Sequence, residues 1–266
     1  MINIVSYFKE LVQEFNLISI FIQRDLKVKY SQTLLGILWA IIRPMATLII
    51  FIFMFKKIAN INEINGVPVQ LIILSGIIFW NYFANGFNNV AISILANTNL
   101  VTKVYFPRII LGIASLAVPF IDFILGLIIY IIISIYFGFP IGFLFLGIPI
   151  ILLFLSLMSL GLGLFFASNS IKYRDLQHVS PLIVQYGFFL TPVVYSIQSV
   201  KFEDYISYFY ALNPLVGIIE LGRYFLIPNY TIHFNLILIS LIVTLFLFII
   251  GVIIFIKKEK TLVDHI

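Results

Sequence analysis

The chain of 266 residues has a formal net charge of +5, 62% hydrophobic and 17% aromatic residues, and only 10% charged ones, with a mean hydropathy of +1.14. A soluble domain carries about 25% charged residues, so this chain has too little polar surface to coat a water-soluble particle. The absence of cysteine excludes disulfides, thiolate metal sites and cysteine nucleophiles.

Residues 4–30 alternate as an amphipathic helix lying on a membrane surface. Val5, Phe8, Leu11, Val12, Phe15, Ile18, Ile22 and Leu26 form its apolar face, with Lys9, Glu10, Gln13, Glu14, Gln23 and Arg24 mostly between them. The charges within residues 1–20 break up any uninterrupted secretory core, so no signal segment is expected. From Arg24 to Tyr30 the chain is polar and basic, and at Leu34 an apolar run begins.

Apolar runs of about 20 residues are long enough to cross a hydrocarbon layer near 30 Å thick. Six such spans are expected near 34–55, 69–95, 108–137, 142–168, 179–197 and 233–256. Spans three and four meet at an uncharged turn, Gly138-Phe139-Pro140. Between spans one and two, residues 56–68 form a modest polar loop with Gly66 and Pro68.

Residues 198–232 are too long for a turn and too apolar for an ordinary loop. They read as two short helices hinged at Asn213-Pro214, dipping back into the outer interface where tyrosines are favoured. Non-helical backbone at that depth survives only in protein or against water, so this hairpin is expected to cap a wet space. The expected fold is therefore an all-α integral membrane protein, one transmembrane domain over 1–266. It comprises an interface helix (4–30), a six-span bundle (34–256) and an outer re-entrant hairpin (198–230).

Charge sets the orientation. An even number of spans puts both termini on one side. With that side cytoplasmic, the inner segments hold eleven Lys and Arg and the outer segments only Lys56, Lys57, Lys201 and Arg223. This is a positive-inside bias, and it accounts for the net basic charge without nucleic acid. A multi-pass protein of the cytoplasmic (inner) membrane follows.

No phosphate-binding G-x-x-x-x-G-K-[ST], H-E-x-x-H or G-x-S-x-G motif occurs, and carboxylates are sparse. The three histidines, His178, His233 and His265, are scattered and make no metal cluster. Catalysis by this chain is not expected. Three cytoplasmic features remain. The cations of Arg24, Lys27 and Lys29 are placed to attract lipid headgroups or a ligand phosphate, or else serve as topological anchors. Arg24 is the better phosphate grip, because its planar fork is bidentate. Residues 97–108 suit a short helix docking in a partner's groove, or a simple helix cap. Lys172-Tyr173-Arg174-Asp175 by itself reads as an anchor.

Two charges fall inside spans. Arg43 lies about 14 Å into span one and Asp122 about 21 Å into span three, at 1.5 Å per residue. Facing lipid, each would cost about 2.5–3.5 kcal/mol. They are expected to face the interior, either lining a water path or paired with each other. Span four carries the small residues Gly161-Leu162-Gly163, and spans two and five carry Trp80, Tyr82, Phe83, Tyr186, Phe188 and Phe189. Most such aromatics pack between helices or face lipid; a subset lining a conduit would stack on sugar rings.

In order and spacing, several of these pieces resemble the membrane subunit of ABC-2-type polysaccharide exporters, which move O-antigen, capsule or teichoic-acid chains. They are Arg24 to Tyr30, Leu35-Gly36, Trp39, Pro44, Asn99-Leu100-Val101 with Lys103, Phe106-Pro107-Arg108 and Asp122-Phe123. Later come Tyr173-Arg174-Asp175, Thr191 to Tyr195 and Asn213-Pro214-Leu215.

The resemblance implies a homodimer joined to two copies of a separate ABC ATPase, with ATP and magnesium held there and no cofactor on this chain. It implies ATPase coupling through Asn99, Leu100, Val101, Lys103, Tyr105 and Phe106. Arg24, Lys27, Lys29, Tyr30, Leu35 and Gly36 would guard access of a lipid-diphosphate-linked glycan. Arg43 and Asp122 would be channel or intramembrane charges, and Tyr205, Tyr208, Asn213 and Pro214 would belong to an outer gate. An ABC-2 exporter of a small lipid or drug shares the layout, and a membrane-embedded glycolipid enzyme is the alternative from another class.

Overall fold

A computed structural model describes residues 10–11, 13–31, 34–139, 142–197 and 204–259, with only the backbone of 204 and 205. Residues 1–3, residues 4–9 and Val12 of the expected interface helix, residues 32–33 and 140–141, residues 198–203 of the expected hairpin, and the tail from Lys260 lie outside the described residues.

The described residues are mostly helical. Helix α1 (Phe15–Ser31) is followed by a turn at Gly36 and then by α2 (Trp39–Ile52), which runs into a π-helical turn, Phe53–Ile58. Two short strands, β1 (Glu63–Ile64) and β2 (Val67–Pro68), pair antiparallel with Ile64 opposite Val67. Asn65 and Gly66 join them with φ of 53° and 76°. Both values are left-handed, as a two-residue hairpin with the strands' twist requires. The polar loop expected at 56–68 is thus a tight hairpin whose Ile64 and Val67 are buried.

Helix α3 (Val69–Ile92) follows, then α4 (Thr98–Lys103), α5 (Ile109–Ala114) and α6 (Ala117–Tyr136). Beyond the next turn come α7 (Ile148–Ser170), α8 (Leu176–Gly187), α9 (Asp204–Tyr210), α10 (Pro214–Leu226) and α11 (Phe234–Glu259).

Among the described residues, five helical stretches are long and apolar enough to cross a membrane: Gly36–Ile58, Val69–Ile92, Ile109–Tyr136, Phe143–Ser170 and Phe234–Glu259. The segment expected as a further span, 179–197, is built differently. Helix α8 has 12 residues, about 18 Å at 1.5 Å each. It gives way to turns at Phe188, shortly before Pro192, which has no N–H to continue a helix. The chain still advances along α3. Phe188 meets Trp80 edge-on at 5.7 Å, and the carbonyl of Val193 shares the Arg223 guanidinium with that of Ile72.

Helix α3 is the centre. In its most apolar window 89% of residues are buried, against 17% for Gly36–Ile58. It packs on α6, α7 and α10, while α7 in turn carries α11. The α7–α11 crossing is closest at Gly161 and Gly251, where a Cβ on Gly251 would stand 1.9 Å from the Gly161 carbonyl oxygen. Small residues there let two backbones touch, the close packing that drives helix association in lipid.

One end of the bundle gathers the basic segments. Phe21 of α1 packs against Phe106 at 5.7 Å. The backbone N–H of Arg108 donates to the carboxylate of Glu259, and Lys258 donates to Asn169. A separate apolar cluster, including Ile18, Val101, Ile110, Ala167 and Phe255, ties these pieces together. The first helix and the last therefore finish at the same end.

Candidate functional site

Helix α1 lies across α5 and the start of α6. Ile18 and Phe21 anchor it, being 7% and 8% exposed. Its polar side then faces the bundle end. Arg24 stacks over Phe21 at 5.0 Å, pairs with Asp25 at 2.8 Å and donates to the Asn97 side chain at 2.7 Å. Lys27 is exposed.

Lys29 and Tyr30 reach into the bundle and both meet Asp122. Lys29 forms an ion pair with one carboxylate oxygen, and the Tyr30 hydroxyl donates to the other at 2.8 Å. Burial first, then this hydrogen bond, raises the Tyr30 phenol well above its usual range, so it stays a neutral donor. The partner of Asp122 is therefore the interface helix, and the pairing of Asp122 with Arg43 considered from sequence is not formed. Coming from a helix that packs across the span, Lys29 reaches the carboxylate first.

Arg43 is exposed, and its guanidinium lies 5.7 Å from the centre of the Trp39 ring, one helical turn earlier. It has no carboxylate partner among the described residues. Just upstream, Gly36 turns the chain from α1 into α2 with φ +49°, and a Cβ there would press on the Tyr30 carbonyl at 3.2 Å. Leu35 and Gly36 are half-buried in this elbow.

Two connected hollows open beside these charges. A cleft of about 650 Å³ is lined by Arg24, Asp25, Lys29, Arg43, Asn85 and Asn89, among others. A deeper hollow of about 140 Å³ shares Lys29, Arg43 and Asn85, and adds Trp39, Asn81, Tyr82 and Asp122. Together they form a groove between α1, α2, α3 and α6, from the basic end to the middle of α3. Of the residues expected at substrate access, Arg24 and Lys29 line it; Lys27, Tyr30, Leu35 and Gly36 do not.

Sequence reasoning missed the groove's third wall. Asn81, Asn85 and Asn89 recur every four residues along an otherwise apolar helix, and so share one face. That spacing was the available signal.

The turn between α3 and α5 carries α4. Asn99, Leu100, Lys103 and Tyr105 are exposed, Tyr105 by 86%. Val101 and Phe106, at 2% and 5%, point inward and hold the loop to the basic-end core. The expected coupling set thus divides into four presented side chains and two anchors.

At the opposite end, α9 and α10 are two helices hinged at Asn213-Pro214, as the sequence predicts. Asn213 caps α10, its side-chain oxygen accepting from the Leu215 N–H at 3.1 Å. Its amide donates to the Leu190 carbonyl and to Thr191 at 3.2 and 3.0 Å. Pro214 opens the helix, where a missing N–H costs nothing. Tyr208 is exposed, and the side chain of Tyr205 lies outside the described residues. Tyr195 and Tyr210 join through their hydroxyls at 2.5 Å.

Arg223, counted from sequence among the outer-segment cations, is wholly buried in α10. It pairs with Glu220 at 2.8 Å and donates to the carbonyls of Tyr195 at 2.8 Å, Val193 at 2.8 Å and Ile72 at 3.1 Å. Glu220 also accepts from Tyr230 at 2.8 Å. This network bolts α10 to α3 and to the turns after α8. Of the span-two aromatics, Trp80, Tyr82 and Phe83 are all buried, and of the three Tyr82 lines the groove; Tyr186 and Phe189 are exposed.

A bundle of helices long and apolar enough to cross a membrane, with a polar groove at its basic end and a buried Arg223–Glu220 network at the other, is the architecture of a multi-span membrane protein. The ABC-2 type transporter family matches residues 16–227, and the chain belongs to that family. It is similar to an O-antigen export system permease protein RfbA of Klebsiella pneumoniae, 28% identical over 92% of this chain and 93% of the relative. The RfbA permease of Myxococcus xanthus is 28% identical over 79% and 80%. The polysialic acid transport protein KpsM of Escherichia coli is 25% identical over 84% and 87%.

Proposed function

We propose that this chain is the permease subunit of an ATP-driven exporter that carries lipid-linked polysaccharide outward across the bacterial inner membrane. The observation that carries this reading is the groove, whose cations and amides lead from the basic end to mid-helix depth in a family whose similar members are named for O-antigen and polysialic acid export. Cations suit a diphosphate and amides suit sugar hydroxyls, a combination that a purely apolar cargo does not call for.

In this reading the basic end is cytoplasmic, by the positive-inside bias. The chain crosses six times, the fifth crossing made by α8 together with the turns up to Ser196. These carry the backbone from the basic end to the level of Ile72, and both termini then lie inside. Helices α9 and α10 form a re-entrant hairpin on the outer side, and α1 rests on the inner interface. Two copies enclose the conduit. Hydrolysis, with its ATP and magnesium, belongs to a separate nucleotide-binding subunit, which the exposed Asn99, Leu100, Lys103 and Tyr105 engage.

Depletion of this chain in its host tests the reading. Lipid-linked glycan accumulates inside the cell while surface glycan falls, and the defect is matched by loss of the partner ATPase. Unchanged surface glycan with altered export of a drug or a simple lipid would overturn it.

A further inference from the structure

Asn81 and Asn85 stand one turn apart on the face of α3 that lines the groove, and both are half-buried. Neither side-chain amide has a hydrogen-bond partner among the described residues, although Asn89, the next in the row, reaches the Ser115 carbonyl at 3.4 Å. Each amide offers two donors and a two-lone-pair acceptor. Within a membrane-spanning helix such groups are tolerated where water or a polar ligand meets them.

Arg43, with no carboxylate partner among the described residues, lines both hollows, and Trp39 forms a wall of the deeper one. Adjacent donor and acceptor atoms match vicinal hydroxyls, and a planar guanidinium matches phosphate oxygens. The groove's size suits a headgroup and leaves lipid tails outside.

We propose that Asn81 and Asn85 read the hydroxyls of the sugar next to the diphosphate of a lipid-linked glycan, while Arg43 holds that diphosphate. The selection takes place within one subunit's own groove, before any conduit shared between copies. This rests on the export reading above and adds the residues that tell a glycosylated headgroup from a bare one.

The test uses the full-length chain in phosphatidylglycerol nanodiscs, titrated with two probes: bare polyprenyl diphosphate, and polyprenyl diphosphate carrying N-acetylglucosamine. The wild type holds the glycosylated probe about thirtyfold tighter, the effect of two modest hydrogen bonds. N81A or N85A alone gives up about fivefold of that preference. The double variant binds both probes alike, with its affinity for the bare lipid unchanged, which also reports that it is folded. R43Q weakens both probes in parallel.

A sugar preference that survives in the double variant overturns the assignment. So does a double variant that loses the bare lipid as well. A wild type that binds both probes equally overturns the assignment and leaves the export reading standing. A wild type that binds neither probe above the nanodisc background removes the export reading too.

Discussion

Replacing Arg223 by methionine tests how α10 is held against α3. The side chain has no solvent exposure and sits among the carbonyls of Ile72, Val193 and Tyr195, with Glu220 at 2.8 Å. Methionine keeps most of the volume but removes the charge and every donor. Glu220, itself 5% exposed, is then left as a buried carboxylate with Tyr230 at 2.8 Å and the Ile197 N–H at 3.4 Å. Removing one member of a buried pair costs about 3–5 kcal/mol. For a protein of this size that lowers the melting midpoint by on the order of 10 °C.

The assay is thermal unfolding of the detergent-solubilised protein, followed by the fluorescence of buried Trp80. The double variant R223M/E220L no longer buries a lone charge and melts above R223M. It stays below the wild type because the carbonyls of Ile72, Val193 and Tyr195 have lost a shared donor. If R223M melts within about 2 °C of the wild type, where a loss of ~1 kcal/mol falls, the pair is not the bolt described here.

Charge reversal at Arg43 leaves the yield of folded protein near wild type, because no described carboxylate depends on it, and abolishes export measured as surface glycan; a collapse in yield would make it structural. Asp122→Asn loses the Lys29 ion pair but keeps an acceptor for Tyr30, so it lowers stability by about 1 kcal/mol, read from the melting midpoint. Tyr105→Ala, at an exposed tip, leaves the melting midpoint unchanged and uncouples partner ATPase activity from export, whereas Val101→Asp lowers the midpoint by several degrees, since a buried carboxylate has no partner there. Gly251→Val forces α7 and α11 apart at the Gly161 carbonyl and costs about 3 kcal/mol, seen as loss of the monodisperse peak on gel filtration.

What sequence reveals about this fold depends on how local the cause is. The long apolar stretches and the Asn213-Pro214 hinge are written in adjacent residues, through hydropathy and through a cap with a proline beside it. The segment after Lys172 is not, because the helix gives way to turns at Phe188, shortly before Pro192, while its apolar content reads as one continuous helical span. The partner of Asp122 stands 93 residues away in the chain, and no local pattern joins Lys29 to it. Arg223 was legible in principle: a Glu and an Arg three apart on an apolar helix form a ready pair. Counting positive charges for orientation treated it as one more cation of the outer segments. The asparagine row was visible only to a reader seeking polar periodicity inside an apolar run.

The nearly complete enclosure of α3 has a consequence for how the protein meets different lipids. A helix wrapped by its own chain is insulated from the thickness of the surrounding bilayer, while Gly36–Ile58, largely bare, has to tilt or bend to match it. Because Arg43 rides on that bare helix and Asn81 and Asn85 on the enclosed one, any such tilt would change the width of the groove between them.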